Sequence, residues 1–316
     1  MNEIARDLIA LSFLRGTFRK APLRAVARFR DAEFDDAALE DILQDQMPAT
    51  DPTVKQDLAA ARTRADEIID ISERQGIEII IITHSSYPTR LAKMAAAPPV
   101  LYVKGHSVAL NSAATVAIIG TREPTPFGAK CALKLGKAFA AEATVVSGLA
   151  RGCDTQGHIG CIEAGGTAVA VLAHGLDRIY PRENAELGVS ISETGGCLIS
   201  EYPIGTRPFR SQFVERNKLQ AALSDAVIVV ETDVNGGTMH TVRFAVEQYK
   251  PIACVRHPVS YADFPQTRGN MQLLATGVAV PIADTQSLEA FWKSALVSSG
   301  HRVPPHPELE LSLNGW

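Results

Sequence analysis

Six short runs of apolar and β-branched residues recur between residues 115 and 255, and a helix-like segment separates each run from the next. The runs read TVAIIG, TVVSG, TAVAVLA, CLISEY, AVIVVE and PIACV, and helices are predicted between them at residues 127–142, 153–164, 183–193, 212–223 and 237–248. Strands that are apolar at nearly every position are buried on both faces, and strand–helix–strand units join parallel neighbours through right-handed crossovers. The alternation therefore predicts an α/β fold with a doubly wound, mostly parallel sheet that is Rossmann-like in outline.

The segments on either side of this region have other patterns and divide the chain into three parts. Residues 1–74 contain helix-like stretches at 8–14, 21–29, 36–43 and from 54 onward, without a strand pattern, and predict a small N-terminal helical domain. Extended segments at 78–83 and 100–104 and a last helix at 287–296 extend the Rossmann-like domain over residues 75–296. Residues 297–316 are polar and rich in proline, so we expect a disordered tail.

Charge and cysteine content limit the kinds of site. The 316 residues are 46% hydrophobic with a formal net charge of −4, so a nucleic-acid site must be a local cluster of cations. The five cysteines include no CxxC pair and no zinc spacing, which predicts reduced, mostly buried thiols and no metal site. No signal-peptide pattern and no run of about 18 apolar residues occurs, so we expect a cytoplasmic protein without membrane contact.

Three predicted strand ends carry unusual residues, and ligands of open parallel sheets bind outside such carboxyl ends. The first turn, IIGTREPTPFG, contains Gly120, Thr121 and Arg122. Glycine removes the Cβ, threonine offers a hydroxyl, arginine offers a planar fork of donors, and the amides that open the next helix attract anions. The turn fits phosphate binding, and an ordinary strand–helix connection has the same outline.

The second turn, TVVSGLARGCDTQGH, passes from a strand into a helix through two glycine-containing steps; its candidate residues are Ser147, Gly148, Arg151 and Gly152. Here the glycines would let the backbone approach a phosphate, and Arg151 would supply charge. Asp154 is placed to cap the helix, and His158 lies four residues on, on the same helix face. For these last two residues a structural and a functional role both remain open.

The third turn lies within VVETDVNGGTMHT and forms a second anion cradle at a helix start; its candidate residues are Gly236, Gly237 and Thr238. Shortly before it, FVERNKLQAALS adds polar and basic residues near another helix start, namely Arg216, Asn217 and Lys218. As a solvated helix face this segment would be unremarkable. Beside three phosphate-type turns, it supplies the local cations that the net charge of the chain lacks.

Familiar nucleotide-binding motifs are missing. GTREPTPFG is not GxGxxG, and the second strand ends in Ser147 and Gly148 where a nicotinamide enzyme places its ribose-binding acid. The chain has no GxxxxGK[ST] P-loop and no GxSxG nucleophile elbow. We therefore expect no cofactor and a site that holds phosphates from several loops.

Seven linked motifs resemble the DNA processing protein A (DprA/Smf) family in order and approximate spacing. They are IIGTREPTPFG, VVSGLARGCDTQGH, AVLAHGLDRIYPREN, LISEYPIGTRP, FVERNKLQAALS, VIVVE with NGGTMHTVRFAVEQ, and TRGNMQLLATG, within about residues 87–277. The resemblance implies an extended Rossmann fold and a single-stranded DNA-binding protein, often dimeric, that protects the strand and helps to load the RecA recombinase in transformation or recombination. It also implies that the candidate residues of the three turns and of FVERNK line the DNA pocket.

The sequence departs from the family pattern at three places. Only Gly16 remains of the family's glycine-marked N-terminal helical hairpin, and the residues after Leu296 are too few for the winged-helix domain that ends many members. In the third turn, Gly236, Gly237 and Thr238 replace the family's serine-glycine-serine, and His240 stands where an aliphatic residue is usual. The differences in the third turn concern the base-contacting side of the pocket.

A nucleotide-cleaving enzyme is the alternative interpretation. GGT followed by a helix containing Glu247 resembles the phosphoribohydrolases of the "lonely guy" family, in which Glu231 or Glu247 of this chain would stabilise an oxocarbenium-like centre. Those enzymes carry proline-glycine-glycine before the threonine, whereas this chain has Val234, Asn235 and Gly236. The difference favours a DNA-binding protein without catalytic residues.

Overall fold

The computed structural model describes residues 3–13, 52–94 and 96–300 of the chain. These residues form one nine-stranded sheet in the order β1-β2-β6-β5-β4-β3-β7-β8-β9. The strands are β1 (Ile77–Ile81), β2 (Val100–Gly105), β3 (Thr115–Ile119), β4 (Thr144–Ser147), β5 (Ala168–Leu172), β6 (Cys197–Ser200), β7 (Ala226–Val229), β8 (Ile252–Val255) and β9 (Val280–Ile282). Neighbouring strands within the set β3 to β9 are all parallel to each other, whereas β2 pairs antiparallel with both β1 and β6. The predicted doubly wound, mostly parallel fold is confirmed.

The helices predicted between residues 127 and 248 and at 287–296 match observed helices closely, whereas the helix Pro265–Ala275 was not predicted and the first helix begins at Glu3 rather than at residue 8. The α-helices of the described residues are numbered in chain order. They are α1 (Glu3–Leu11), α2 (Pro52–Arg74), α3 (Thr89–Ala92), α4 (Pro126–Phe139), α5 (Cys153–Glu163), α6 (Ala185–Glu193), α7 (Arg210–Leu223), α8 (Thr238–Glu247), α9 (Pro265–Ala275) and α10 (Thr285–Ser298). Strand β9 was not predicted, because a three-residue strand with a central proline gives no periodic signal and is tolerated only near a sheet edge.

Alternate residues of the central strands face two separate apolar layers. Val116 and Ile118 of β3 belong to the layer that includes Phe139 of α4, whereas Ala117 and Ile119 belong to the opposite layer with Val242 of α8. Both faces of the sheet are therefore covered, and the polar ends of the strands are left for a site.

Glycines let α4 and α5 cross with their backbones in contact. A methyl group on Gly136 would overlap the carbonyl oxygen of Gly157, and one on Gly160 would overlap that of Leu133. Helix α4 follows the first turn and α5 follows the second. The close crossing therefore holds these two turns side by side.

Helices α1 and α2 pack onto the apolar layer that also contains β3 and α4. Ile4 and Leu8 of α1 belong to this layer, and Asp7 accepts hydrogen bonds from Arg62 Nε and Nη2 at 2.7 and 2.6 Å. The division into domains at residue 74 remains a prediction. The helices predicted at 21–29 and 36–43, and residues 301–316 of the predicted tail, lie outside the described residues.

All five cysteine thiols are buried, as predicted, and none forms a disulfide in the structure. Burial raises the pKa of Cys161 and Cys254 to about 12, so both thiols are protonated at neutral pH. Within the described ranges, no helix combines the length and the apolar character needed to cross a membrane. The same ranges hold no group of three or more His, Cys, Asp or Glu side chains that could bind a metal ion.

Candidate nucleic-acid interface

The three predicted turns meet at the carboxyl edge of the sheet, the edge where the parallel strands end. Strands β4, β3 and β7 are neighbours, and hydrogen bonds join their following turns. Thr121 N donates to Glu231 O at 2.7 Å, and Cys153 N donates to Thr121 O at 3.1 Å. Gly152 has φ +80°, and a Cβ at this residue would overlap Thr121 O. Two residues of the second turn thus contact the first turn directly.

The amides of the second turn point into the protein. The buried carboxylate of Asp154 accepts from Gly148 N at 3.1 Å and from Ala150 N at 3.3 Å. Leu149 between them is buried with φ 55°, and Asn184 Nδ2 donates to its carbonyl at 2.9 Å. Because Asp154 already accepts from these amides, they do not form an open phosphate cradle. The prediction that Asp154 caps the helix is wrong, because Gly152 takes the cap position; Asp154 lies in the first turn of α5 and fixes the shape of the preceding turn.

Arg216 lies beneath this turn and is only 4% exposed. Its Nη1 donates to Val171 O at 2.6 Å, and a methyl group on Gly148 would overlap the same nitrogen. Burial lowers the pKa of Arg216 to about 10, against the attraction of Asp154, so the guanidinium stays charged at neutral pH. The sequence predicted an exposed DNA contact, but in the structure this cation supports the turn from below. Gly148 is needed because the guanidinium occupies the space of a side chain.

Two further residues of the second motif, Ser147 and His158, are also buried. Ser147 is buried and its hydroxyl donates to Ile118 O at 2.7 Å, which joins β4 to β3. His158 is fully buried and its ring nitrogens have no hydrogen-bond partner among the described residues. Burial lowers its pKa to about 3, so His158 is neutral at physiological pH. Neither side chain is placed to contact a ligand directly.

Arginine and aromatic side chains, all exposed except the half-buried Phe213, form the outer surface of this edge. The guanidinium of Arg122 lies 5.4 Å from the ring centroid of Phe213, which lies 5.9 Å from the ring centroid of Tyr180. Arg151 is exposed, with its Nη1 3.8 Å from Glu183 Oε1, and Phe209, just before α7, is 68% exposed. We call this the arginine–aromatic surface; it consists of Arg122, Arg151, Tyr180, Phe209 and Phe213. Tyr180 was not predicted as a site residue, and only its proximity in space to Phe213 reveals it.

A hydrogen bond connects the third turn, at the start of α8, to α7. Asn217 Nδ2 donates to Gly237 O at 3.4 Å, and Gly236 N donates to Asp233 O at 2.9 Å. Gly237 is exposed, and Thr238 begins α8. Lys218 is not part of this group: its Nζ pairs with Glu215 Oε2 at 2.6 Å, and the residue lines a cavity between α7 and α8 that reaches the opposite edge of the sheet.

A buried carboxylate connects the first turn to the end of β8, and it was not predicted as part of the DNA site. Glu231 is completely buried and accepts from Thr125 N at 2.8 Å, from Thr125 Oγ1 at 2.5 Å and from His257 Nε2 at 3.1 Å. Thr125 in turn caps α4 by accepting from Gly128 N at 3.1 Å. The three residues Thr125, Glu231 and His257 form what we call the Glu231 clamp. Thr125 before Pro126 is the one local signal for it, because this pair is typical of a helix start.

The two carboxylates of the alternative enzyme interpretation do not share a site. Glu231 is engaged in the clamp, whereas Glu247 is exposed at the end of α8, at the opposite edge of the sheet. A strand–helix unit carries the chain back across the sheet, so the start and end of α8 lie at opposite edges. Glu231 and Glu247 therefore do not converge on one reaction centre.

Comparison with known proteins agrees with the motif resemblance. The sequence profile of DNA recombination-mediator protein A matches residues 78–293. Protein Smf of Synechocystis is 34% identical over 68% of this chain and 54% of its own length, so this chain spans about half of that relative. DNA processing protein DprA of Bacillus subtilis is 32% identical over 76% of this chain and 79% of its own length.

Two solved structures are similar in fold. The X-ray structure of DprA from Streptococcus pneumoniae has a TM-score of 0.72 and 26% identity and covers 92% of this chain and 98% of its own. DprA from Helicobacter pylori, described for its unique single-stranded DNA binding mode, has a TM-score of 0.62 and 26% identity and covers 72% of this chain and 97% of its own. The profile match extends over more than half of the sequence, and the chain therefore belongs to the DNA recombination-mediator protein A family.

Proposed function

We propose that this protein binds single-stranded DNA at the carboxyl edge of its sheet, through the arginine–aromatic surface. The observation that carries the proposal is the placement of the Arg122 guanidinium over Phe213, itself beside Tyr180. Binding of single strands without sequence preference combines cations that follow the phosphates with aromatic rings on which bases stack. Arg122 and Arg151 would contact phosphates, and Phe209 or Phe213 would stack with bases.

The buried residues of the predicted site would act indirectly. Gly148, Gly152, Asp154 and Arg216 shape the turn that carries Arg151, and the Glu231 clamp fixes the start of α4 just after Arg122. Such a fixed backbone lowers the conformational cost of ordering exposed side chains on a ligand. The candidate residues of the third turn, Gly236 to Thr238, would border the same path beside α7.

The relatives suggest the cellular role. The family is described as a recombination mediator, and the Helicobacter pylori relative as binding single-stranded DNA. We infer that this protein acts as a homodimer in the cytoplasm, where it protects single-stranded DNA and assists RecA loading during recombination or transformation. We also infer that it is a binding protein and not an enzyme, since Glu231 is engaged in the clamp and Glu247 lies at the other edge.

The test is a fluorescence-anisotropy titration of a labelled oligothymidine and of a covalently closed duplex, each over a series of salt concentrations. We expect tighter binding of the single strand, with little dependence on its sequence. In the double variant Arg122→Ala/Arg151→Ala, affinity falls and the slope of log affinity against log salt flattens by about 0.7 for each phosphate that the protein no longer neutralises.

A matched control removes two cations from the opposite edge of the sheet. Lys137 lies in the last turn of α4 and Arg74 ends α2, and both side chains are exposed. The variant Lys137→Ala/Arg74→Ala has the same net charge as the double arginine variant and should keep the salt slope of the parent. If the folded double arginine variant also binds with unchanged affinity and slope, this surface is not the DNA site.

A further inference from the structure

A cavity of about 930 Å³ opens at the amino edge of the sheet, opposite the arginine–aromatic surface. It lies between the segments that precede β3, β7 and β8 and the ends of α7, α8 and α10; its lining includes Thr89, Lys93, Ala222, Phe244, Tyr249 and Lys250. We call it the amino-edge cavity. Its volume falls within the range of about 300–1,000 Å³ that is typical of small-molecule sites.

The lining of this cavity is basic, although the chain as a whole is acidic. It contains four basic residues, Arg90, Lys93, Lys218 and Lys250, and two acidic residues, Asp225 and Glu247. Asp225 is engaged by the surrounding structure, since it accepts from Arg90 Nε at 3.0 Å, from Arg90 Nη2 at 2.7 Å and from Thr115 N at 2.9 Å. Glu247 is exposed to solvent. Lys218 is already paired with Glu215, so Lys93 and Lys250 carry the positive charge of this lining that Asp225 does not neutralise.

Among the lysines of this lining, Lys250 is the one whose pKa is shifted by burial. Its Nζ donates to Ala222 O over 3.4 Å, near the outer limit of a hydrogen bond. Burial lowers the pKa of Lys250 against the attraction of Asp225, and the charges of Arg90 and Lys93 lower it further. An ammonium group has three donors and is stabilised in a partly buried position by an anion. A ligand anion between Lys93 and Lys250 would relieve their mutual repulsion.

Tyr249 stands at this cavity in an unfavourable backbone conformation. It is 95% exposed with φ 54°, a left-handed conformation that bulky L residues rarely adopt. Tyr249 N donates to Val246 O at 3.0 Å and Lys250 N to Ala245 O at 2.9 Å, a helix-ending turn in which glycine usually takes the left-handed position. Strained positions of this kind cluster at functional sites. The exposed ring offers a face on which a planar base can stack.

We propose that the amino-edge cavity binds a nucleoside monophosphate, with the phosphate between Lys93 and Lys250 and the base against Tyr249. The doubly charged phosphate matches two ammonium groups, and Met94 and Phe244 line the same cavity with apolar surface. The site lies at the other edge of the sheet from the arginine–aromatic surface, so the proposal is independent of DNA binding there.

Isothermal titration of the full chain with thymidine monophosphate, thymidine and inorganic phosphate tests this proposal. We expect the monophosphate to bind more tightly than either fragment. Lys250→Met keeps the apolar stem of the side chain and should weaken binding about tenfold or more, the usual effect of losing a hydrogen bond to a charged group. Lys93→Ala should weaken it as well, and Lys137→Ala, which removes a lysine outside the cavity, should have no effect.

The Arg122→Ala/Arg151→Ala variant separates this site from the DNA site and should bind the monophosphate as the parent does. If that variant loses the monophosphate while Lys93→Ala and Lys250→Met retain it, the nucleotide binds at the arginine–aromatic surface and the proposal is wrong. The absence of measurable monophosphate binding to the folded parent protein would also overturn it.

Tyr249→Gly distinguishes a role in binding from a role in folding. Glycine relieves the strain at φ 54°, so the variant should melt at a higher temperature than the parent. Loss of the stacking ring should nevertheless weaken monophosphate binding about fivefold or more. Unchanged affinity in this variant would show that the base does not contact Tyr249 and would contradict the proposed binding mode.

Discussion

Glu231→Gln is the substitution that best tests how the loops at the carboxyl edge of the sheet are held. The change keeps the size of the side chain but removes its charge, and it replaces one acceptor oxygen by an NH₂ donor. In the parent, the completely buried carboxylate accepts three hydrogen bonds, two from Thr125 and one from His257. With glutamine, one oxygen can still accept from Thr125 N, whereas the NH₂ group faces Thr125 Oγ1 and His257. The substitution therefore weakens the clamp without opening a cavity.

The expected cost follows from these hydrogen bonds. A hydrogen bond to a charged group contributes about 1.5–3 kcal/mol. The Thr125 hydroxyl can accept from the new NH₂ group, so the net loss is one such bond, that of His257, and should destabilise the protein by about 2 kcal/mol. In a domain of this size, that corresponds to a fall in melting temperature of roughly 4–8 °C. Amide hydrogen exchange should accelerate at residues 120–128, because the clamp joins this segment to the ends of β7 and β8.

Urea and thermal unfolding followed by circular dichroism give the stability, and hydrogen exchange with mass spectrometry gives the local effect. Glu247→Gln is the matched control, because Glu247 is exposed, and surface substitutions usually change stability by less than about 0.5 kcal/mol. Equal unfolding midpoints and equal exchange for Glu231→Gln and the parent would refute the clamp. The same variants, assayed for release of base from nucleoside monophosphates, test the enzyme interpretation, and a Glu231-dependent activity in the parent would favour it.

Two further predictions concern the core beneath the site. Gly136→Ala should destabilise the protein by about 1–3 kcal/mol in urea unfolding, because the new methyl group forces α4 away from Gly157 O, whereas Gly237→Ala, with open space and φ −58°, should stay within about 1 kcal/mol of the parent. His158→Leu should be as stable as the parent at pH 7, because it removes a buried polar ring without partners. The stability of the variant should also fall less than that of the parent as the pH is lowered. The pKa of His158 is about 3 in the folded protein against an ordinary 6.5, so below pH 6.5 the unfolded chain binds a proton that the folded protein does not. The contribution of neutral His158 to the free energy of unfolding is therefore complete above pH 6.5 and is lost at up to about 1.4 kcal/mol per pH unit as the pH falls toward 3. Parent and variant unfolding curves that stay parallel from pH 7 to 4 would contradict this.

The sequence alone determined the layered fold and the edge of the sheet at which the glycine turns lie. Hydrophobic period and polarity are local properties of the sequence, and six mostly apolar runs alternating with helices leave few arrangements other than a parallel, doubly wound sheet. The glycine turns at Gly120, Gly148 and Gly236 were predicted for the same reason, because a strand that gives way to glycine marks a carboxyl end. Arg122 and Arg151 follow β3 and β4 at this edge and are exposed, and their contact with DNA remains a prediction.

Only the tertiary structure decided which polar residues face solvent and which face the protein. Arg216 and Lys218 are two residues apart, yet one is buried under Gly148 and the other lines the cavity between α7 and α8. That difference depends on the elements that pack against α7, and no periodicity within the helix encodes them. Glu231 likewise accepts from the amide of Thr125, which lies 106 residues away in the chain and which only folding brings near. A buried polar group needs a partner, and long-range packing chooses which partner is near enough.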